Sequence, residues 1–82
     1  MNVEERVKSF ILENFLFTDD PTALGEEDSF LDKGIIDSTG VMEVILFLEE
    51  EFDIKVMDDE IVPENLDSVR NIGKFVASKT AA

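Results

Sequence analysis

The chain has 82 residues, the size of one small domain. Twenty Asp and Glu against seven Lys and Arg leave a net charge of −13, which argues against nucleic-acid phosphate or an anionic membrane surface as a partner, since either needs a net positive contact. With no Cys and no His, disulfides, thiolate catalysis, zinc–thiolate sites and every His-dependent triad or proton shuttle are excluded, while a hydrophobic content of 44% is too high for a disordered acidic tail.

The N-terminal residues Asn2-Val3-Glu4-Glu5-Arg6 lack the basic stretch and apolar run of a signal peptide. Val44 to Leu48 is the longest apolar run, far short of the roughly 20 residues that span a bilayer. A cytoplasmic location without membrane insertion is therefore expected. A first helix is predicted over Val3 to Leu16, with Asn2 and Glu5 at N-cap and N3 spacing and an apolar stripe of Val3, Val7, Phe10 and Ile11. A long connection follows, roughly Thr18 to Asp37, broken by Pro21, Gly25 and Gly34. Phe30, Leu31, Ile35 and Ile36 are expected to pin it to the helices as an ordered loop, with a short turn of helix within it.

The strongest helical pattern runs from Ser38 to Phe52, where Val41, Val44, Ile45, Leu48 and Phe52 share one face. Met42 and Leu46 fall on a flank with Thr39, Glu43 and Glu50. Two readings of that pair stay open: a docking face rimmed by carboxylates, or side chains packed under the long loop. Asp53 to Met57 reads as a connector, and residues 58–62 as a brief third helix that Pro63 ends or disrupts. Asp67 is the expected N-cap of a last helix over Ser68 to Ser78, with Val69, Ile72 and Val76 as its core stripe and Phe75 beside it. That helix is basic, with Arg70 and Lys74 on it and Lys79 just beyond its expected end. No useful strand alternation appears. The expectation is an all-α fold, a small four-helix bundle of three main helices and one short one with a long first loop, in a single domain over residues 1–82.

Sites for chemistry are sparse. None of the serines has a histidine to activate it, and none sits in a nucleophile elbow. The four glycines are too scattered to cradle a phosphate, and Asp28 to Gly34 lacks the ligand alternation of a calcium loop. Asp58-Asp59-Glu60 is no more than a loose divalent-ion candidate, and no dedicated metal site is expected. The remaining segment is Gly34-Ile35-Ile36-Asp37-Ser38-Thr39-Gly40, which ends the long loop and opens the strongest helix. Asp37 or Ser38 suits an N-cap there. Ser38 also suits modification, because a phosphodiester on its oxygen would lie near unpaired N–H groups and the positive end of the helix dipole. Both roles are compatible if Asp37 caps.

Asp37-Ser38-Thr39, followed by the helix to Phe52 with Glu49-Glu50-Glu51-Phe52-Asp53-Ile54, resembles the acyl carrier protein family, as does Asn65-Leu66-Asp67-Ser68-Val69 further on. The likeness covers nearly the whole chain. It implies that Ser38 carries a covalent 4′-phosphopantetheine installed by a phosphopantetheinyl transferase. The arm's thiol would then hold an acyl or aminoacyl group as a thioester. The chain itself would perform no catalysis, and would present its cargo to enzymes of lipid, fatty-acid, polyketide or related biosynthesis. Carried over by position, the recognition surface comprises Asp37, Thr39, Met42, Glu43, Leu46 and Glu50, meeting basic surfaces on acyl-transferring or acyl-activating enzymes. A monomer is expected. Val41, Val44, Ile45 and Leu48 are candidates to line a space for cargo. The family commonly has Leu where this chain has Thr39, a departure that bears on partner choice and suggests a specialised carrier. The alternative function is an acidic helical adaptor that binds basic protein surfaces without a prosthetic group.

Overall fold

The side chain of Asn2 opens the first helix of the computed structural model, which describes residues 2–80. Met1, Ala81 and Ala82, within the expected 1–82 domain, lie outside the described residues. Helix α1 runs over Val3–Ile11. Asn2 Oδ1 accepts the Glu5 N–H at 2.8 Å, so one orphan donor of the first turn is satisfied, and Glu4 and Glu5 face the positive end of the dipole. The return bond from the Glu5 carboxylate that would complete a capping box is not found among the described residues. The predicted helix does reach Leu16, but its last part widens into a π-helical turn over Leu12–Leu16. That turn closes on Phe17 in the left-handed region (φ 55°, ψ 44°), a position glycine usually takes and where a Phe costs about 1–2 kcal/mol.

The long connection is ordered, as expected. Asp20 caps a single 3₁₀ turn over Pro21–Ala23, and the Thr22 hydroxyl and N–H that it accepts hold its carboxyl below the ordinary range. Leu24, Phe30 and Ile36 are its buried pins and Ile35 is half-buried. Leu31 is not a pin: it is 56% exposed. Phe30 and Leu31 are consecutive in a tight turn, so when one points inward its neighbour points out.

Helix α2 spans Ser38–Phe52, the predicted range, and Asp53 ends it in the left-handed conformation, which Asp tolerates. Val44, Ile45 and Leu48 are buried, with Val41 and Phe52 at the edge of the core. Beyond α2 the prediction needs two corrections. Residues 58–62 form only a 3₁₀ turn over Asp58–Glu60, and Pro63 starts rather than stops the next helix, α3, over Pro63–Leu66. Proline fits the first helical position because its missing N–H would find no intrahelical acceptor there. Helix α4 covers Val69–Thr80, and its cap is Ser68 instead of Asp67: the Asn71 N–H donates to Ser68 Oγ at 3.0 Å. The Asp67 carboxylate is engaged elsewhere, by Ser29 and Leu31. Lys79 lies within the last turn of α4, not beyond it.

One core joins these elements. Val7 and Ile11 of α1, Leu48 of α2 and Val69, Ile72 and Val76 of α4 have no exposed surface. Each such side chain contributes about 1.5–3 kcal/mol by burial. Phe47, which the predicted core stripe omits, is half-buried and stacks on Phe10 with centroids 4.1 Å apart. Among the described residues there is no strand, and no helix is long and apolar enough to cross a membrane.

Lys79 ties the end of α4 to the 3₁₀ turn through Glu60, with Nζ at 2.8 Å and 3.1 Å from its two oxygens, while the Met57 N–H donates to the same carboxylate at 2.9 Å. The Lys79 ammonium, and then the Met57 N–H, hold the Glu60 carboxyl below its ordinary range. A lowered folded-state value stabilises the fold above the ordinary Glu range, and that contribution is lost as pH falls through the lower value. Glu60→Gln is therefore expected to melt below wild type at neutral pH. The gap between the two should close on acidification through the Glu60 titration, read as melting temperature against pH. A gap that stays constant with pH would contradict this role.

Candidate functional site

The loop-to-helix junction divides two jobs between neighbouring residues. Asp37 is the N-cap of α2: its Oδ1 accepts the Gly40 N–H at 2.8 Å and its carbonyl accepts the Val41 N–H at 3.0 Å. Ser38 is the first helical residue. It is exposed, and its hydroxyl makes no hydrogen bond among the described residues. Of the two caps left open by the sequence, the fold uses Asp37, which leaves the Ser38 oxygen uncommitted. The N–H groups of Ser38 and Thr39 likewise have no acceptor among the described residues, as the geometry of a first turn dictates. The junction thus offers an accessible nucleophilic oxygen beside two free donors and a positive helix end.

Gly40, two residues further on, is closely packed. A Cβ there would lie 2.8 Å from Phe15 Cε1 and 3.0 Å from Ile36 Cγ2. The absent side chain lets the π turn of α1 and the end of the loop press directly on the first turn of α2. Composition marks Gly40 only as one scattered glycine; its use depends on Phe15, distant in sequence.

Asp37, Thr39, Met42, Glu43, Leu46 and Glu50 are all exposed. Met42 is 55% and Leu46 56% exposed, so neither packs under the long loop. They form an apolar pair one helical turn apart with carboxylates on both sides.

A second feature lies behind this helix. An apolar cavity of about 120 Å³ opens between the loop (Phe30, Leu31), α2 (Val41, Val44) and the segment entering α3 (Ile61, Pro63). Of the four residues predicted to line a cargo space, only Val41 and Val44 line this cavity. Ile45 and Leu48 belong instead to the buried core, at 5% and 0% exposure. Loop and α3 residues supply the rest of the lining, which no periodicity in α2 would reveal. Asp58-Asp59-Glu60 gains no metal geometry: Glu60 is paired with Lys79, and no metal-holding group of acids occurs among the described residues.

No protein-family model matches the chain. Curated relatives do. An acyl carrier protein of Caulobacter vibrioides is 35% identical over 80 residues, covering 98% of this chain and 97% of the relative. One from Bdellovibrio bacteriovorus is 30% identical over 82 residues with both chains fully covered, and one from Clostridium acetobutylicum is 36% identical over 78 residues, covering 95% and 96%. Among solved structures, the NMR structure of a holo acyl carrier protein from Nitrosomonas europaea superposes with a TM-score of 0.82 at 28% identity, covering both chains in full.

Proposed function

This chain belongs to the acyl carrier protein family, a carrier and not a catalyst, and we propose that it holds an acyl or aminoacyl group as a thioester on 4′-phosphopantetheine attached to Ser38. The observation that carries the assignment to Ser38 is the division of labour at the junction: Asp37 does the capping, and the neighbouring hydroxyl stands exposed and unbonded. The residues present fit the group, since nothing walls in the oxygen and the free N–H groups of Ser38 and Thr39 suit an anionic phosphodiester. When bound, the arm supplies the thiol that a chain without cysteine lacks.

The chain's own residues do the rest. Asp37 and Gly40 hold the helix start rigid, so the attachment point is presented in one orientation. Met42 and Leu46 offer an apolar contact on the same helix, and Asp37, Glu43 and Glu50 rim it with negative charge. A field of this sign speeds encounter with basic partner surfaces and weakens with salt. The partners we propose are a phosphopantetheinyl transferase and acyl-transferring or acyl-activating enzymes of lipid, polyketide or related biosynthesis. Thr39, polar where the family commonly has Leu, makes this face less apolar next to the attachment point and favours a specialised carrier. We further read residues 1–82 as one monomeric domain working in the cytoplasm.

The direct test is incubation of the unmodified chain with a broad-specificity phosphopantetheinyl transferase, coenzyme A and magnesium, followed by intact-mass measurement. One arm added per chain is expected; no gain with several such transferases would defeat the assignment. The docking face has its own test. Met42→Asp with Leu46→Asp should cut the transferase's kcat/KM by about tenfold or more, since a buried contact of this size contributes about 1–3 kcal/mol at an interface. The melting temperature should stay within a few degrees of wild type, because both side chains are already exposed. An unchanged kcat/KM would remove the pair from the recognition surface.

A further inference from the structure

Phe17 is the most exposed large hydrophobic side chain among the described residues, at 83%, and it closes the π turn in the left-handed region. Both facts run against a purely structural part: the ring stands in water, and glycine would take this backbone with less strain. Contacts between α1 and α2 say where the ring is carried. Arg6 Nη2 lies 2.6 Å from Glu51 Oε1, Phe10 stacks on Phe47, and Phe15 abuts Gly40. Each step toward the end of α1 is matched by a step toward the start of α2, so the two helices run antiparallel. Two residues beyond the last of these contacts come Phe17 on one side and Ser38 on the other, about 3 Å further along at 1.5 Å per residue. Phe17 therefore ends its segment level with the attachment oxygen.

Its surroundings match those of Met42 and Leu46. Glu13, Asp19 and Asp20 are exposed close to it in the chain, and no Lys or Arg occurs between Lys8 and Lys33. An apolar ring rimmed by carboxylates suits a basic surface with an apolar socket. A second copy of this chain is a poor occupant, because each carries a charge of −13. Of the proposed partners, the transferase has the strictest reach. Its reacting phosphate must come to the Ser38 oxygen itself, whereas the other enzymes work at the far end of the arm. A standard interface covers about 800 Å² on each partner, a patch about 16 Å in radius. Packed helices lie about 8–10 Å apart, so a footprint centred on Ser38 takes in Phe17 as well as Met42.

We propose that Phe17 is a docking residue for the phosphopantetheinyl transferase: its ring enters an apolar socket on the enzyme while the carboxylates around it meet basic side chains. The inference rests on the reading of Ser38 as the attachment site. Phe17 touches no reacting atom and acts through binding alone.

Phe17→Gly tests it, because a docking role and a structural role predict different signs. With the transferase and coenzyme A of the mass assay, KM for the unmodified carrier should rise about five- to tenfold at unchanged kcat, the mark of lost uniform binding. The melting temperature should hold or rise by a few degrees, since glycine relieves the left-handed strain and an exposed ring gives up little packing. Phe17→Tyr should keep the wild-type KM. Phe17→Asn, which also tolerates this conformation, serves if Phe17→Gly does not fold. An unchanged KM in a folded variant would overturn the proposal. A lowered melting temperature together with an altered kcat would make Phe17 a structural residue instead. An effect confined to an acyl-transferring enzyme, or a dimer in sedimentation that Phe17→Gly splits, would give the ring to another occupant and equally overturn it. Wild type that gains no arm would sink the reading of Ser38, and this inference with it.

Discussion

Ser38→Ala should abolish modification altogether: no mass gain with any phosphopantetheinyl transferase, under conditions in which wild type gains one arm per chain. The effect is all or none because the oxygen that would bear the phosphodiester is removed, and the other serines offer no substitute at this helix start. Ser29, Ser68 and Ser78 already have hydrogen-bond partners, and Ser9 lies within α1. Nor should the fold suffer. Asp37 supplies the cap and the Ser38 side chain is exposed without a partner, so the substitution falls among surface changes that usually stay within about 0.5 kcal/mol. An unmodifiable but fully folded variant also separates the carrier from an acidic adaptor. An adaptor working through charge alone would keep its cellular function after Ser38→Ala, and a carrier would lose it. A mass gain that survives the substitution would move the attachment site elsewhere.

Leu48→Ala is expected to be the most damaging single truncation in α2. Leu48 has no exposed surface and lies where α2 meets the core shared by α1 and α4. Truncation of such a leucine costs about 2–5 kcal/mol in lost transfer energy and residual cavity. A domain this small has a total stability near the lower end of about 5–15 kcal/mol. At about 4–8 °C per kcal/mol the melting temperature should fall by at least about 8 °C, measured by circular dichroism. Leu46→Ala, two positions earlier on the same helix, should barely move it, because Leu46 is 56% exposed. Equal destabilisation by the two would mean that the buried and exposed faces of α2 have been misassigned.

These two helical positions show how much of the site was legible beforehand. The 3.6-residue period separates Leu48 from Leu46 without coordinates, and the run from Ser38 to Phe52 forms over its predicted length. Asp37 next to Ser38 at the end of a glycine-marked loop localises the helix start, and the lack of His and Cys removes most enzyme chemistry. Where prediction failed, the competing partner was remote in sequence. Asp67 looks like a cap from its neighbours, yet Ser29 and Leu31, more than thirty residues away, claim its carboxylate. Pro63 reads locally as a helix stop, and only the path of the chain leaving Val62 in an extended conformation makes it a first helical residue. Phe47 joins the interior because Phe10 of another helix stacks on it.

By itself, then, the sequence determined the helical class, the span of the central helix, the charge it presents and the candidate serine, because period, capping chemistry and composition act over a few residues. Tertiary structure alone decided which of Asp37 and Ser38 caps, that Gly40 must be bare to admit Phe15, and that the apolar cavity lies against the loop and α3 and not along the whole α2 stripe. The physical reason is that burial and hydrogen-bond satisfaction are settled by whichever groups arrive in space, and no local pattern records their arrival.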